Sequence, residues 1–301
     1  MRWTEGDSDL LHTAVIDGVK QDGLWVFPLA GKRAKNMTDE HLVTIVGIDG
    51  QGVAHVVRST TLSIRDYAHT VLREHVQWGR GYDNGYKYGA NLGSAMIAML
   101  EYGALAQQYF GYRTDRPADE LLTDEMKARV ATAFGEEALA NARAEQVSAV
   151  MGDKTLVYGT SCILGESMAL KFYFRLTGED LSALTAEVSY ADHSGDTVAQ
   201  TVPGTALEPN GGYFSLTVDS LRAADAACLV TVTLRRGGET LVSASDSVAN
   251  YTARLKNEPQ SQPLADAMLT YGLAARQYFT PIALDKPGEG EEIELPILEF
   301  T

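Results

Sequence analysis

The sequence predicts an α+β protein of two tandem repeats, each a β-sandwich of immunoglobulin-like general architecture followed by a helical hairpin. The first observation is a segment that occurs twice, as AMLEYGALAQQYF at 98–110 and AMLTYGLAARQYF at 267–279, with nine of thirteen positions identical. The second is that short strand-like segments separated by turns precede both copies. A close internal match indicates two copies of one unit, and several short strands in series are typical of a sandwich.

The correspondence between the two halves continues upstream of this segment, in the same order. We match Arg2 with Arg175, Phe27 with Phe214, Leu42 with Leu229 and Ser63 with Ser247. This alignment pairs Met1 with Phe174, in the middle of a predicted strand. Because a strand that begins halfway leaves backbone groups of its neighbour unpaired, we expect the chain to be a piece of a longer protein. The alternative is a divergent first copy that lost a strand.

Strand signals dominate residues 10–62 and 155–248. Residues 214–218, for example, alternate apolar with polar side chains, as a half-buried strand does. Two glycine-containing runs have the composition of hairpin turns, at 235–238 in the second half and at 49–52 in the first.

Each predicted sandwich leads into helix. Ser63 and Ser247 stand three residues before Asp66 and Asn250, which is the spacing of an N-cap and its partner. In each copy of the repeated segment, four residues fall on one stripe at helical spacing, which predicts core packing. The two stripes are Met99, Tyr102, Ala106 and Tyr109, and Met268, Tyr271, Ala275 and Tyr278.

A glycine occupies the same place in both copies of the segment, as Gly103 and Gly272. Glycine inside a helix costs roughly 1 kcal/mol relative to alanine. Its presence in both copies therefore predicts a close approach of each helix backbone to a partner surface. Residues 119–146 predict further helix, mostly polar, that joins the two halves.

These patterns divide the chain into four parts. The first repeat spans 1–112, lacks the N-terminal strands of the second, and carries an aromatic and glycine-rich insert at 78–93. A helical connector follows at 113–150, and a second, complete repeat at 151–280. Residues 281–301 are rich in Pro, Gly and Glu and form a predicted linker or tail.

The pattern AMLxYGxxAxQYF, which follows a Ser-x-x-x-Tyr helix start, resembles a repeat module of large surface proteins of gut clostridia. In the second half, Tyr158-Gly159-Thr160-Ser161 and Lys171-Phe172-Tyr173-Phe174 are similar to the two strands that precede the YGxAAQxYF helix of that module. The resemblance covers nearly the whole chain, partly in the first half and fully in the second. It implies an extracellular, modular and repetitive protein and supplies no catalytic residue. Cys162 departs from the pattern, and the insert has no counterpart in it.

Composition disfavours several classes of function. The formal net charge is −15 over 301 residues, which argues against nucleic acid and anionic membrane surfaces as partners because both need a basic face. No apolar run is long enough to predict membrane insertion. The chain opens on polar and acidic residues rather than a signal peptide; in a piece of a longer protein this does not argue against export. We expect an extracellular or cell-wall-associated location.

The two cysteines, Cys162 and Cys228, both lie in apolar, strand-like segments of the second half. Such cysteines are predicted to be free buried thiols. A disulfide between strands is the alternative, which depends on the distance between their Cα atoms.

The sequence shows no motif for catalysis, a metal or a cofactor. The six histidines form neither HExxH nor another zinc-ligand spacing. The glycine-rich run 47–52 joins two predicted strands, so it cannot offer a helix N-terminus to phosphate. Acidic neighbours such as Glu136 and Glu137 are expected on so acidic a surface. The run 192–196 has a loosely calcium-like order, but without a bidentate Glu an Asx turn explains it better.

The insert at 78–93 is the segment that core packing explains least. Its candidate ligand-binding residues are Trp78, Tyr82, Asp83, Asn84, Tyr86 and Tyr88. Flat aromatic rings beside amide and carboxylate groups can stack on sugar rings and hydrogen-bond their hydroxyls, and loops commonly carry binding. The alternative is a long helix–helix connection whose tyrosines fold back onto the sandwich, because so aromatic a loop would be sticky in water.

The sequence therefore predicts a non-catalytic structural or adhesion module of a secreted or cell-surface bacterial protein, with no cofactor. Its expected partners are other domains of the same large protein and a glycan, host or cell-wall surface. The alternative is a carbohydrate-binding module that uses the Trp/Tyr-rich loop of the first repeat. An enzyme is a third hypothesis, which requires catalytic groups that meet across the two copies.

Overall fold

The computed structural model describes residues 2–4, 11–13, 16, 18–21, 23–27, 32–74, 84–144, 155–164, 168–176, 178–255 and 258–280. Within these ranges the protein combines helices with four small antiparallel sheets, which confirms the α+β prediction at that level. None of the helices in these ranges is long and apolar enough to cross a membrane. The predicted tail at 281–301 lies outside the described residues.

The first half begins with strands and continues with helices. The strands are β1 (Arg2–Thr4), β2 (Leu11–Thr13), β3 (Val19–Gln21), β4 (Leu24–Val26), β5 (His41–Ile48) and β6 (Ala54–Leu62). The helices are α1 (Ile64–Glu74), α2 (Asn84–Phe110), α3 (Asp124–Phe134) and α4 (Glu136–Ala144). One sheet has the order β2-β1-β5-β6, while β3 and β4 form a separate hairpin.

The described part of the second half contains eight strands and two α-helices. The strands are β7 (Val157–Leu164), β8 (Met168–Phe174), β9 (Leu184–Ala191), β10 (Thr197–Pro203), β11 (Glu208–Asn210), β12 (Tyr213–Leu221), β13 (Val230–Arg236) and β14 (Glu239–Asp246). The helices are α5 (Val248–Arg254) and α6 (Gln262–Phe279). The strands form two four-stranded sheets, β10-β9-β13-β14 and β11-β12-β8-β7.

The two sheets of the second half contribute to a single hydrophobic core. Burial alternates along β9, as period-two side-chain geometry requires. In β8, Leu170, Phe172 and Phe174 are fully buried, and they share the core with Val232 and Leu234 of β13. This half therefore has the two-layer arrangement that its alternating sequence predicts.

The first half does not have a second four-stranded sheet among its described residues. Most of β6 is exposed, and its Val56 and Val57 are 67% and 69% exposed. Among the described residues, two four-stranded sheets that share one core are thus found in the second half only. The first half instead places its core between helices, where Ile97 and Leu100 of α2 pack with Val71 and Leu72 of α1.

Several local features are common to the sheets β2-β1-β5-β6 and β10-β9-β13-β14. In both, the pairing of the last two strands shifts register once, after Ile45 in β5 and after Leu234 in β13. One residue earlier, a threonine hydroxyl meets a serine hydroxyl across the strands: Thr44 with Ser59 at 3.1 Å, and Thr233 with Ser243 at 3.0 Å. The two strand pairs therefore share one register and one bulge.

These features correct part of the sequence alignment. When the two strand pairs are aligned at their bulges, Leu42 corresponds to Thr231 and not to Leu229. Hairpin β3-β4 pairs Val19 with Val26, as β11-β12 pairs Glu208 with Ser215. Phe27, one residue beyond β4, is consequently level with Leu216 and not with Phe214.

The match of Arg2 with Arg175 is also wrong. Strand β1, which contains Arg2, lies between β2 and β5, as β9 lies between β10 and β13. Met1 lies outside the described residues, so its match with Phe174 stays a prediction. Strand pairing and turn length set the register, so single identities such as Arg–Arg misled the alignment.

The predicted helix starts and glycine contacts are confirmed. Ser63 Oγ accepts a hydrogen bond from the backbone of Asp66, and Ser247 Oγ from that of Asn250, both at 3.0 Å. The helix backbones of α2 and α6 approach the 3₁₀ turns at 34–36 and 223–225 at their glycines. A Cβ on Gly103 would lie 3.3 Å from the carbonyl oxygen of Ala34, and one on Gly272 would lie 3.0 Å from that of Ala223.

Helices α2 and α6 pack against each other and join the two halves. Tyr102 and Tyr271, at matching places in the repeated segment, stack with ring centroids 6.2 Å apart. Tyr102 belongs to the core of the second half, while Ala274 of α6 belongs to the core of the first. The predicted core stripe is mostly confirmed; Tyr109, at 48% exposure, is the exception because it lies at the end of α2.

The predicted connector helix is divided into α3 and α4 at Gly135. A Cβ at this position would collide with the carbonyl oxygen of Ala131, so only glycine fits the break. Helix α4 then contacts the second half through Arg143, whose Nη2 donates to Asp266 and whose Nε donates to Thr252 Oγ1 at 3.2 Å. The connector is therefore attached to α5 and α6.

Candidate functional site

The six predicted site residues do not form a described loop. Trp78, Tyr82 and Asp83 lie outside the described residues. Helix α2 already begins at Asn84, so Asn84, Tyr86 and Tyr88 are helical. The prediction of a loop that runs on to residue 93 is wrong for this part, because the apolar periodicity of the repeated segment continues N-terminally past the glycines.

An aromatic cluster instead lies on the second half, where β7, β8 and β12 run side by side. Tyr158 and Tyr213 stack with centroids 4.0 Å apart and ring planes 27° apart. Tyr173 meets Tyr158 edge to face at 6.5 Å. The Cζ atom of Arg175 lies 5.1 Å from the ring centroid of Tyr158 and 5.8 Å from that of Tyr213. We call Tyr158, Tyr173, Tyr213 and Arg175 the tyrosine platform.

The sheet explains how these side chains come together. In β8, Phe172 and Phe174 point into the core, so Tyr173 between them points outward. Strand pairing puts Tyr173 opposite Ser215 of β12 and Gly159 of β7. The register shift at Val157–Gly159 leaves Tyr158 as the unpaired residue of a bulge, which is a common way to redirect a side chain.

The platform offers both ring faces and polar groups to a ligand. Tyr158 is 54% exposed, and the hydroxyl of Tyr173 lies 3.0 Å from Ser161 Oγ. The guanidinium of Arg175 adds donors in a planar fork that suits carboxylates. Such an arrangement can stack on a sugar ring and hydrogen-bond its substituents.

Sequence reasoning missed this platform, although a signal for it is present. The run 170–174 alternates buried apolar residues with Lys171 and Tyr173, which places an aromatic ring on the outward face of the strand. Tyr158 and Tyr213 come beside Tyr173 only because β8 pairs with both β7 and β12. The sequence alone does not show this strand order.

Two histidines contact a carboxylate, and two others are partly or fully buried. His193 Nδ1 lies 2.8 Å from Asp225 Oδ1, with both side chains buried, and the same oxygen accepts from the backbone of His193. His55 Nε2 lies 2.7 Å from Asp49 in the β5–β6 hairpin. Burial lowers the pKa of His41 and that of His69. Among the described residues no group of histidine, cysteine or acidic side chains could hold a metal ion.

Both cysteines are free thiols in the second half. Burial raises the pKa of Cys162 to about 12 and that of Cys228 to about 11. A thiol nucleophile needs a lowered pKa, so these side chains behave as small apolar residues.

The acidic runs are turns and helix starts. Asp192 Oδ1 accepts from the backbone of Ser194 and of Asp196, at 2.9 and 3.0 Å, which confirms the Asx turn predicted there. Glu136 and Glu137 are exposed in the first turn of α4, where carboxylates favourably face the helix N-terminus.

Comparison of the chain with models of known protein families, with curated proteins and with solved structures found no match.

Proposed function

We propose that the chain consists of two tandem immunoglobulin-like repeats and acts as a non-catalytic structural or adhesion module of a secreted or cell-surface bacterial protein. Among the described residues of the first repeat, no strands correspond to β7 and β8. The repeat module of clostridial surface proteins that the sequence resembles is the proposed family. Other domains of the same large protein are the proposed partners.

The main-chain features that the two halves have in common carry this proposal. Each half has one four-stranded sheet of the same connectivity, with a bulge at the same place, a threonine–serine contact beside it and a glycine that packs a helix on a 3₁₀ turn. In the second half, the orders β11-β12-β8-β7 and β10-β9-β13-β14 correspond to strands D-E-B-A and C′-C-F-G of immunoglobulin-like domains. Independent folds would not be expected to agree at so many points.

A polar clamp supports a mechanical role for the second half. Asp246, fully buried at the end of β14, accepts hydrogen bonds from Thr160 of β7 and from Arg254 Nη2, the latter at 2.7 Å. It thus ties the first strand of one sheet to the last strand of the other. Because a buried carboxylate that loses its partners is costly, pulling these strands apart has to overcome this clamp.

Single-molecule force spectroscopy of the full chain, held at both ends, tests the structural role. We expect a resolved unfolding event with a length gain of about 400 Å for the second half, from the reach of an extended chain. Asp246→Ala should lower the force of that event, whereas Glu137→Ala on exposed α4 should not. A chain that extends without a resolved event, or a variant that unfolds at the wild-type force, would refute the structural role.

A carbohydrate-binding module is the second candidate, and the tyrosine platform favours it over the insert. Three tyrosines and one arginine on a sheet face suit a glycan that carries a carboxylate, because the rings stack on sugar and the guanidinium pairs with the acid. The proposed ligand-binding residues on this candidate are Tyr158, Tyr173, Tyr213 and Arg175.

An array of mucin and cell-wall glycans tests this candidate. Wild-type protein should bind acidic glycans, and Tyr158→Ala should weaken that binding by about two- to tenfold, since aromatic ring contacts contribute about 0.5–1.5 kcal/mol. Tyr109→Ala is the matched control, because Tyr109 is equally exposed but lies on α2. If the wild-type protein binds no glycan of the array, the carbohydrate candidate is wrong.

A further inference from the structure

A cavity of about 330 Å³ lies where the two halves meet. Its walls come from the segment before β5, from α2, from β8, from the end of β12 and from α6. Most of the wall is apolar and includes Met37, Met99 and Met168. This volume is at the lower end of the range of small-molecule sites, about 300–1,000 Å³. At roughly 30 Å³ per water-sized group, it has room for about ten non-hydrogen atoms.

The polar side chains of the cavity are all cationic or phenolic. Lys32, Arg33 and Arg222 line it, and none of the described lining residues is acidic. This is unusual in a chain whose formal net charge is −15. A cationic rim on an acidic protein concentrates the attraction for a single anion at that place.

The two arginines that line the cavity occupy matching positions in the two halves. Arg33 directly precedes the 3₁₀ turn at 34–36, and Arg222 directly precedes the one at 223–225. Both residues are exposed, and neither forms an ion pair with a described residue. Each turn is held in place by a helix glycine, Gly103 or Gly272, so the backbone from which the arginines extend is packed on both sides.

Two tyrosines line the same cavity as the arginines. Tyr102 and Tyr271 both line the cavity, and their rings stack at an interplanar angle of 22°. Burial raises the pKa of both phenols, so they remain neutral and can donate hydrogen bonds. With the methionine side chains, which adapt to irregular apolar shapes, they make a surface for a hydrocarbon or aromatic body.

We propose that this cavity binds a compact carboxylate with an apolar body, with its carboxylate at Arg33 and Arg222 and its body against the tyrosines and methionines. A short fatty acid or an aryl carboxylate has this chemistry. The binding site lies away from the tyrosine platform, and it requires neither the glycan nor the mechanical role. A ligand here would bridge the two halves and make their relative position depend on occupancy.

Calorimetric titration of the full chain with octanoate tests this proposal, because octanoate has ten non-hydrogen atoms and a single carboxylate. Octanol, with the same tail and no charge, and acetate, with the charge and no tail, are the comparison ligands. Octanoate should bind more tightly than either by at least about tenfold, since a hydrogen bond to a charged group contributes about 1.5–3 kcal/mol. Raising the ionic strength should weaken octanoate binding and leave octanol binding unchanged.

The double variant Arg33→Gln, Arg222→Gln should reduce octanoate affinity at least about tenfold and leave octanol affinity unchanged. Arg129→Gln, an exposed arginine on α3, is the matched control and should bind as the wild type does. If octanoate does not bind, or binds no better than octanol, the proposal fails. It also fails if acetate binds equally well, because the apolar wall then plays no part. The salt and ligand comparisons use wild-type protein, so they test the proposed carboxylate site even if a variant does not fold.

Discussion

The close approach of α6 to the 3₁₀ turn at 223–225 predicts that Gly272→Ala destabilises the protein. An added Cβ would lie 2.7 Å from Ala226 Cβ and 3.0 Å from the carbonyl oxygen of Ala223. Both neighbours belong to the turn backbone or are attached directly to it, so relief requires α6 or the turn to move. Overpacking of this kind costs about 1–3 kcal/mol, while alanine gains about 1 kcal/mol in helix propensity over glycine. We expect a net loss of about 1 kcal/mol.

Gly103→Ala is the matched comparison and should be milder. Its Cβ would lie 2.6 Å from Met37 Sδ, and the far end of a methionine can turn away. Its contacts with Ala118 Cβ and the carbonyl oxygen of Ala34, at 3.1 and 3.3 Å, are tight but tolerable. The helix-propensity gain then offsets the strain, and we expect a net change near zero.

Thermal and urea unfolding, followed by circular dichroism, measure both variants. A loss of about 1 kcal/mol lowers Tm by roughly 1.5–2 °C in a chain of 301 residues. Adding Ala226→Gly to Gly272→Ala removes the nearest clashing atom, so the double variant should be more stable than the sum of the single effects predicts. Two results would refute the reasoning: a Gly272→Ala protein at least as stable as the wild type, or a Gly103→Ala protein that is the less stable of the two.

Three further predictions concern single side chains. Ser247→Ala removes the N-cap of α5 and should cost about 1 kcal/mol; a Tm equal to that of the wild type would contradict the cap. Burial lowers the pKa of His41 in the folded state, so the unfolded state binds the proton more readily. The free energy of unfolding should therefore fall as the pH drops below about 6.5. His41→Gln should make Tm less dependent on pH in this range. If the slope of Tm against pH is unchanged in the variant, groups other than His41 cause the pH dependence. Burial raises the pKa of Cys162 to about 12 and that of Cys228 to about 11. Iodoacetamide should therefore label neither thiol in folded protein at neutral pH and should label both in urea. Rapid labelling of the native state would show that the thiols are accessible.

The sequence predicted structural features correctly where the interaction responsible joins residues a few positions apart in the chain. Ser63 and Ser247 identify helix starts because a hydroxyl can satisfy a backbone N–H three residues on, and both do so in the structure. Gly103 and Gly272 indicated close backbone contact because glycine in a helix is costly. The Asx turn at Asp192 was equally readable, since its hydrogen bonds lie within five residues.

Register and site depended on pairs of residues far apart in the chain. The alignment of Phe27 with Phe214 and of Leu42 with Leu229 followed residue identity, but strand pairing moved each match by two positions. The insert looked like a loop because of its glycines, yet from Asn84 onward it continues into the long helix α2.

By itself, the sequence determined the duplicated helical segment, its glycine contacts, the N-caps of the preceding helices α1 and α5, and the α+β class, because each follows from spacing along one element. Only the tertiary structure decided which strands are neighbours, that Tyr158 and Tyr213 stack beside Tyr173, and that Arg33 and Arg222 line one cavity. The reason is physical: period and propensity act over a few residues, whereas a binding surface forms where separate elements pack together.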